Sequence, residues 1–319
     1  MARATTPGQE SAAARDLPFT LHQLRLFATV AETGTISGAA GRLRLSQTAV
    51  SLALTQLEKA LGAELLIRRR AHGVTLTTTG HTVLAAARRI LAEATDLFDE
   101  IGGRGEVVGG VAVGCYPSLG PSLVPALVDG FLHAYPRAQP TLDEGPQESL
   151  EHDLLSGALD VVISYDLALS ENLVKVPIAH REPGVLVAAD GKWGNARAVD
   201  LKQLADEPYV LFDTPVSTFH LASITRAAGF TPRITYRSQN FETVRSLVGR
   251  GLGWTVLLTP PRTELTHEGL RVVMKPLTQR ADPVDVVIVW PRTRSLSRVA
   301  RAFVAFAQQS GGGDGAAAE

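Results

Sequence analysis

Residues 19–80 read FTLHQLRLFATVAETGTISGAAGRLRLSQTAVSLALTQLEKALGAELLIRRRAHGVTLTTTG, and the spacing of apolar side chains in this stretch sets the architecture. Leu21, Leu24, Phe27, Ala28 and Ala31 recur at helical intervals ahead of Gly34, which predicts a first helix that stops there. A short second helix is expected from Ser37 to Leu43, capped by Thr35 or Ser37, with Ala39 and Ala40 small enough to let another helix approach. Ser46 is placed to cap a third helix, in which Val50, Leu54, Leu57 and Leu61 form an inward stripe that Gly62 ends. That stripe turns Gln47, Thr48, Ser51 and Thr55 outward. Two short strands, at 65–67 and 74–76, then flank the polar turn from Arg68 to Gly73 and form a hairpin, or wing.

A helix that enters a DNA major groove needs small packing residues behind it, a tight turn, and short polar side chains on its outer N-terminal face. Residues 36–61 meet all three demands. Gln47 can bond both edges of an adenine, Thr48 can set its methyl against thymine, and Ser51 can offer a hydroxyl to either base, so these three are the direct-readout candidates. Thr35, Ser37 and Ser46 stand at helix starts, where hydroxyls and free N–H groups suit a phosphate. Arg68, Arg69 and Arg70 on the hairpin suit phosphates or the minor groove. Taken singly, each of these residues also reads as a helix cap or a solvated turn; the ordered combination is what is specific. Charge agrees: seven basic residues face three acidic ones between 19 and 80, a surplus of four in a chain whose net charge is -1.

The run SGAAGRLRLSQTAVS followed by LxxLExxLGxxL resembles the LysR-type transcriptional regulators. The resemblance continues more weakly through VGCYPSLGPSLVPALVDGFLHAYP and DLLSGALDVVISYD. It implies a dimeric or tetrameric regulator with an N-terminal winged helix-turn-helix, a dimerising linker helix, and a C-terminal effector domain like periplasmic binding proteins. Two residues depart from the family pattern. Leu52 stands where Arg is common and cannot hold a phosphate, and Gly38 stands where a longer residue is frequent. Phosphate holding is therefore expected to lean on Arg68, Arg69 and Arg70.

Outward from this stretch, a long helix is predicted over 78–101. Val83, Ala87, Ile90, Ala94, Leu97 and Ile101 alternate steps of four and three along it, the seam of a coiled coil, and Leu84, Leu91 and Phe98 widen its apolar face. Self-association through this helix is the expectation. Gly102-Gly103-Arg104-Gly105 reads as a joint, after which strands alternate with helices. Strands are expected at 107–115, 138–143, 160–164, 185–189, 209–212, 233–236, 254–258, 271–275 and 284–290. Two open α/β halves sharing a cleft account for this length, with Tyr165 and Asp166 placed where the chain leaves the first half. Helix starts should line the cleft and offer donors to a small organic anion. The candidates are Ser118 and Leu119, Ser217 and Thr218 before a helix at 219–228, and Asn240 and Phe241, with Trp254 beside them. Each also reads as a cap or, for Trp254 and Phe241, as core.

The expected fold class is thus an all-α/winged helix-turn-helix N-terminal domain, a long linker helix, and an α/β effector domain of two subdomains, periplasmic-binding-protein-like. The expected boundaries are a disordered tail at 1–17, the winged domain at 18–80, linker and hinge at 81–105, the effector domain at 106–309 and a second tail at 310–319. A sole cysteine, Cys115, rules out an internal disulfide and reads as a buried packing residue rather than a redox sensor. GxSxG, HExxH, P-loop and strand-bound GxGxxG motifs are lacking, so no enzyme, metal or cofactor is expected. No secretory signal or membrane-length apolar run is present, and a cytoplasmic protein is expected. The expected partners are double-stranded operator DNA, a small-molecule effector and further copies of the chain, with RNA polymerase admitted as a fourth and no membrane. The rival readings are an α/β enzyme and a solute-binding protein, the latter having no use for the first hundred residues.

Overall fold

The computed structural model describes residues 17–69, 73–101, 106–279 and 281–311. The two expected tails, the joint at 102–105 and Arg70 lie outside these, save that Leu17 is described and the last helix runs on to Gly311. The chain divides into two compact units between Thr95 and Asp96.

The first unit is built on α1 (Leu21–Thr33), α2 (Ile36–Leu43) and α3 (Gln47–Leu61). Each begins on a hydroxyl cap: Thr20 accepts from Gln23 N–H, Thr35 from Gly38 N–H and Ser46 from Ala49 N–H. α1 and α3 end on Gly34 and Gly62 in the left-handed conformation. Phe27, Val30, Ala39, Val50, Leu54 and Leu57 are fully buried where the three helices meet. Strands β1 (Leu66–Arg69) and β2 (Gly73–Leu76) pair antiparallel as the wing. Gly73, at φ +78°, packs so closely under the α1–α2 turn that a Cβ would lie 2.5 Å from the Gly34 carbonyl, which accepts the Val74 N–H at 2.8 Å.

Helix α4 (Thr78–Ile101) follows, and its apolar face is broader than a self-association seam for a reason internal to the chain. Val83, Leu84, Ala87, Ile90 and Leu91 pack against the three-helix core. Further along, Leu97 is 60 % exposed.

The second unit holds β3 (Gly109–Cys115), α5 (Gly120–Ala134), β4 (Ala138–Glu144), α6 (Gln147–Ser156), β5 (Val161–Tyr165) and β6 (Leu173–Arg181). It continues through β7 (Gly184–Ala188), β8 (Pro208–Phe212), α7 (Pro215–Ala228), β9 (Arg233–Ser238), α8 (Phe241–Gly249), β10 (Thr255–Leu257), β11 (Val272–Pro276), β12 (Val284–Pro291) and α9 (Arg298–Gly311). One sheet has the order β4-β3-β5-β12-β6, with β3 parallel to β4 and β5 and the last two strands antiparallel. The other half combines β10-β7-β11 with the parallel pair β8-β9, joined by a bridge from Tyr209 to Trp254.

All nine strands expected from the sequence are present, and one was not expected. β6 contains Pro177, which removes a ladder donor, and it lies at the sheet edge beside a register shift, where proline is tolerated. This strand moves the crossover. The chain does not leave the first half at Tyr165 and Asp166; it returns to the same sheet as β6 and crosses between Arg181 and Gly184.

Candidate nucleic-acid interface and ligand cavity

In the first unit the outer surface is set by α3. Gln47 and Thr48 are exposed in its first turn, and Ser51 is half-buried one turn on. Ser46 and Thr35 are already engaged as caps, while Ser37 is exposed in the first turn of α2, not at its cap. Arg68 keeps 44 % of its side chain exposed yet reaches back from the wing. Its guanidinium lies across α3, donating to Ser51 Oγ at 3.2 Å and Thr55 Oγ1 at 3.5 Å, with Glu58 Oε2 3.9 Å away. Glu58 fixes this junction, since its Oε1 accepts from Leu65 N–H at 2.9 Å and Leu66 N–H at 3.2 Å. Ser51 thereby accepts a hydrogen bond from Arg68 and keeps its own hydroxyl hydrogen to donate. Wing and recognition helix form one surface. Arg69 lies in β1 opposite Gly73.

The sequence reading took Leu52 only as a missing phosphate contact. It sits about 200° round the helix axis from both Val50 and Leu54, at the outward pole of α3, and it is 59 % exposed. The helical period alone would have placed it there, since the same stripe that buries Val50 and Leu54 points Leu52 away from the core.

In the second unit a cavity of about 30 Å³ opens where residues of both halves meet. Ser118, after β3, and Tyr165, ending β5, come from the first half; Ser217, His220, Phe241 and Thr259 come from the second. The Tyr165 hydroxyl bonds Ser118 at 3.2 Å and Thr259 at 2.7 Å. Tyr116 stacks edge-on against Tyr165 and bonds Thr214 and Ser217. Burial pushes the Tyr165 phenol up to about 12 and the His220 imidazole down to about 4. His220 Nε2 is buried with no hydrogen-bond partner.

Ser118, Tyr165, Ser217 and Phe241 thus border the cavity, and five other sequence candidates do not. Leu119 is fully buried under α5, and Trp254 is core, stacked on Tyr209 with its indole N–H on the Glu207 carbonyl. Asp166 pairs with Lys175 at 2.6 Å, Asn240 caps α8, and Thr218 lies in the exposed first turn of α7. That helix starts at Pro215, four residues before the expected Phe219, because Thr214 caps it and proline suits the first turn.

The expected anion finds little to hold it here. No lysine, arginine, aspartate or glutamate borders the cavity among the described residues; Arg181 acts on Tyr165 through its field. Pro121 and Pro215 remove donors from the first turns of α5 and α7. The Glu144 carboxylate lies over Gly120, where a Cβ would meet it at 2.1 Å, so the chain's own anion occupies the start of α5. Cys115 is fully buried, and desolvation, with Glu144 adding to it, pushes its thiol well above the usual range. No group of metal-ligating side chains occurs among the described residues, and none of their helices is long and apolar enough to cross a membrane.

Two family models match: the bacterial regulatory helix-turn-helix protein of the lysR family over residues 21–81, and the LysR substrate binding domain over 104–312. Among curated relatives, the regulator YnfL of Escherichia coli is 30 % identical over 89 % of this chain and 96 % of its own. The hydrogen peroxide-inducible genes activator of Pectobacterium carotovorum is 27 % identical over 76 % of this chain and 81 % of its own. The C-terminal domain of a probable LysR family regulator from Rhodococcus sp. RHA1 is 48 % identical, with a TM-score of 0.61, over 63 % of this chain and 99 % of that one.

Proposed function

The chain belongs to the LysR family of bacterial helix-turn-helix regulators, and from that premise we propose that it grips double-stranded operator DNA as an oligomer and answers to a small molecule held in the cavity. The observation that carries the DNA reading is Arg68 laid across α3, which joins the wing, the exposed Gln47 and Thr48 and the half-buried Ser51 into one basic, hydroxyl-rich face. Gln47, Thr48 and Ser51 read bases. Thr35, Ser37 and Ser46 offer backbone and hydroxyl groups to phosphates, and Arg68 to Arg70 supply charge. Exposed Leu97 on α4 supports association through the far end of that helix. RNA polymerase remains a partner of the DNA-bound form in this reading, and the cytoplasm its compartment.

The lining favours an uncharged molecule with a hydroxyl or carbonyl over an anion, because hydroxyls, a neutral imidazole and aromatic rings surround it, and the space of about 30 Å³ must widen to admit anything much larger than water. The name of the Pectobacterium relative raises peroxide as a signal, but a thiol-based response needs an accessible thiolate, and Cys115 offers none.

Anisotropy titration of the full chain against the DNA upstream of its own gene, over a salt series, tests the reading. Removing Arg68 should flatten the salt slope by about 0.9 and weaken every sequence alike, whereas Gln47→Ala should change base preference. Absence of binding at low salt overturns the proposal.

A further inference from the structure

We infer that Leu52 is a specificity residue that reads thymine methyl groups. The inference rests on the DNA-binding face proposed above and goes beyond it to name what one side chain of that face recognises. Leu52 stands at the outward pole of α3 with 59 % of its surface exposed, where a monomer gains nothing from an isobutyl group. It lies one turn beyond Thr48, so the Thr48 methyl and the Leu52 side chain share a face. Leu45, 37 % exposed just before the helix, extends the apolar strip. Gln47, Ser51 and Arg68 surround this strip with hydrogen-bonding groups. The strip is therefore continuous with the face assigned to DNA. In a major groove the apolar feature within reach is the C5-methyl of thymine, and an exposed leucine there buries its surface only against that group.

The test uses the full chain and the fragment upstream of its own gene, amplified with either dTTP or dUTP, which differ by that methyl alone. Wild type should bind the uracil fragment about fourfold more weakly for each methyl contacted, the value of burying one methyl being about 0.8 kcal/mol. Leu52→Ala should narrow the difference by about fourfold for each methyl that Leu52 covers, leaving only the share of the Thr48 methyl, while keeping wild-type helicity, since the side chain is 59 % exposed. Equal binding of both fragments by wild type overturns the inference. So does full discrimination retained by Leu52→Ala, or a change in oligomeric state on that substitution, which would assign the strip to another copy of the chain. Failure to bind either fragment, or bulk DNA at low salt, overturns the inference together with the DNA reading beneath it.

Discussion

Replacing Glu58 tests how the wing is held to the recognition helix. Its carboxylate, with 18 % of the side chain exposed, accepts the backbone N–H groups of Leu65 and Leu66 and faces Arg68. Hydrogen bonds to an ionised acceptor contribute about 1.5 to 3 kcal/mol each; partial exposure favours the lower figure, and two such bonds give about 3 kcal/mol. The Arg68 contact at 3.9 Å adds little, as expected of a half-exposed pair. Glu58→Ala should therefore ease opening of the wing by roughly 150-fold, tenfold for every 1.4 kcal/mol. Glu58→Gln keeps an acceptor oxygen without the charge and should cost about 1 kcal/mol, or roughly fivefold. Hydrogen exchange of the full chain, read on peptides covering residues 62–69, reports this opening directly. DNA affinity should fall in the same order, because Arg68 is set down on Ser51 and Thr55 by the strand that Glu58 anchors. Protection unchanged within threefold in Glu58→Ala would refute the clamp, and equal effects of the two variants would show that charge plays no part.

Other outcomes follow from single contacts. His220 has a folded-state value near 4 against an ordinary 6.5, so the neutral form is favoured in the fold; stability is full above about pH 6.5 and is lost as pH falls towards 4. The urea midpoint of His220→Gln should consequently fall less steeply over that window than wild type, and identical slopes would exclude burial as the cause. Gly80→Ala, which in an ordinary helix interior stabilises, should here destabilise by about 1 to 3 kcal/mol, because its Cβ would lie 2.1 Å from the Leu65 carbonyl; a raised melting temperature would contradict this packing. Tyr165→Phe leaves Ser118 and Thr259 without the shared hydroxyl and should cost about 1 to 3 kcal/mol in tryptophan-monitored unfolding, all three tryptophans lying in the second unit; an unchanged midpoint would mean the two hydroxyls pair with each other or with water.

Where local chemistry decides an element, the sequence was sufficient. Ser46 and Gly62 bound α3 at the expected residues, and the apolar period delimited α4 as 78–101. Where tertiary context decides, it was not. Pro177 hid β6 because a proline reads as a strand breaker until its edge position is known. The apolar face of α4 read wholly as a seam for another helix, since spacing does not say whether a stripe packs on its own domain or on a copy; half of it packs within the chain. The cavity candidates divided for a similar reason. Ser118 and Ser217 stand at helix starts beside the cleft, whereas Trp254 and Leu119, equally near a strand end, turn inward to the core. Arg68 on α3 was out of reach, because nothing in a run of three arginines says which one folds back.

That no charged side chain among the described residues borders the cavity separates two sensitivities of the molecule. Mobile ions weaken attraction between charges beyond about 10 Å at 0.1 M, and the grip of a basic face on DNA falls as a power of salt concentration. A pocket bordered by hydroxyls, rings and a neutral imidazole has no such term. When a bacterium takes up potassium under osmotic upshift, salt would act directly on the DNA-binding face and would reach the ligand only through whatever coupling joins the two sites.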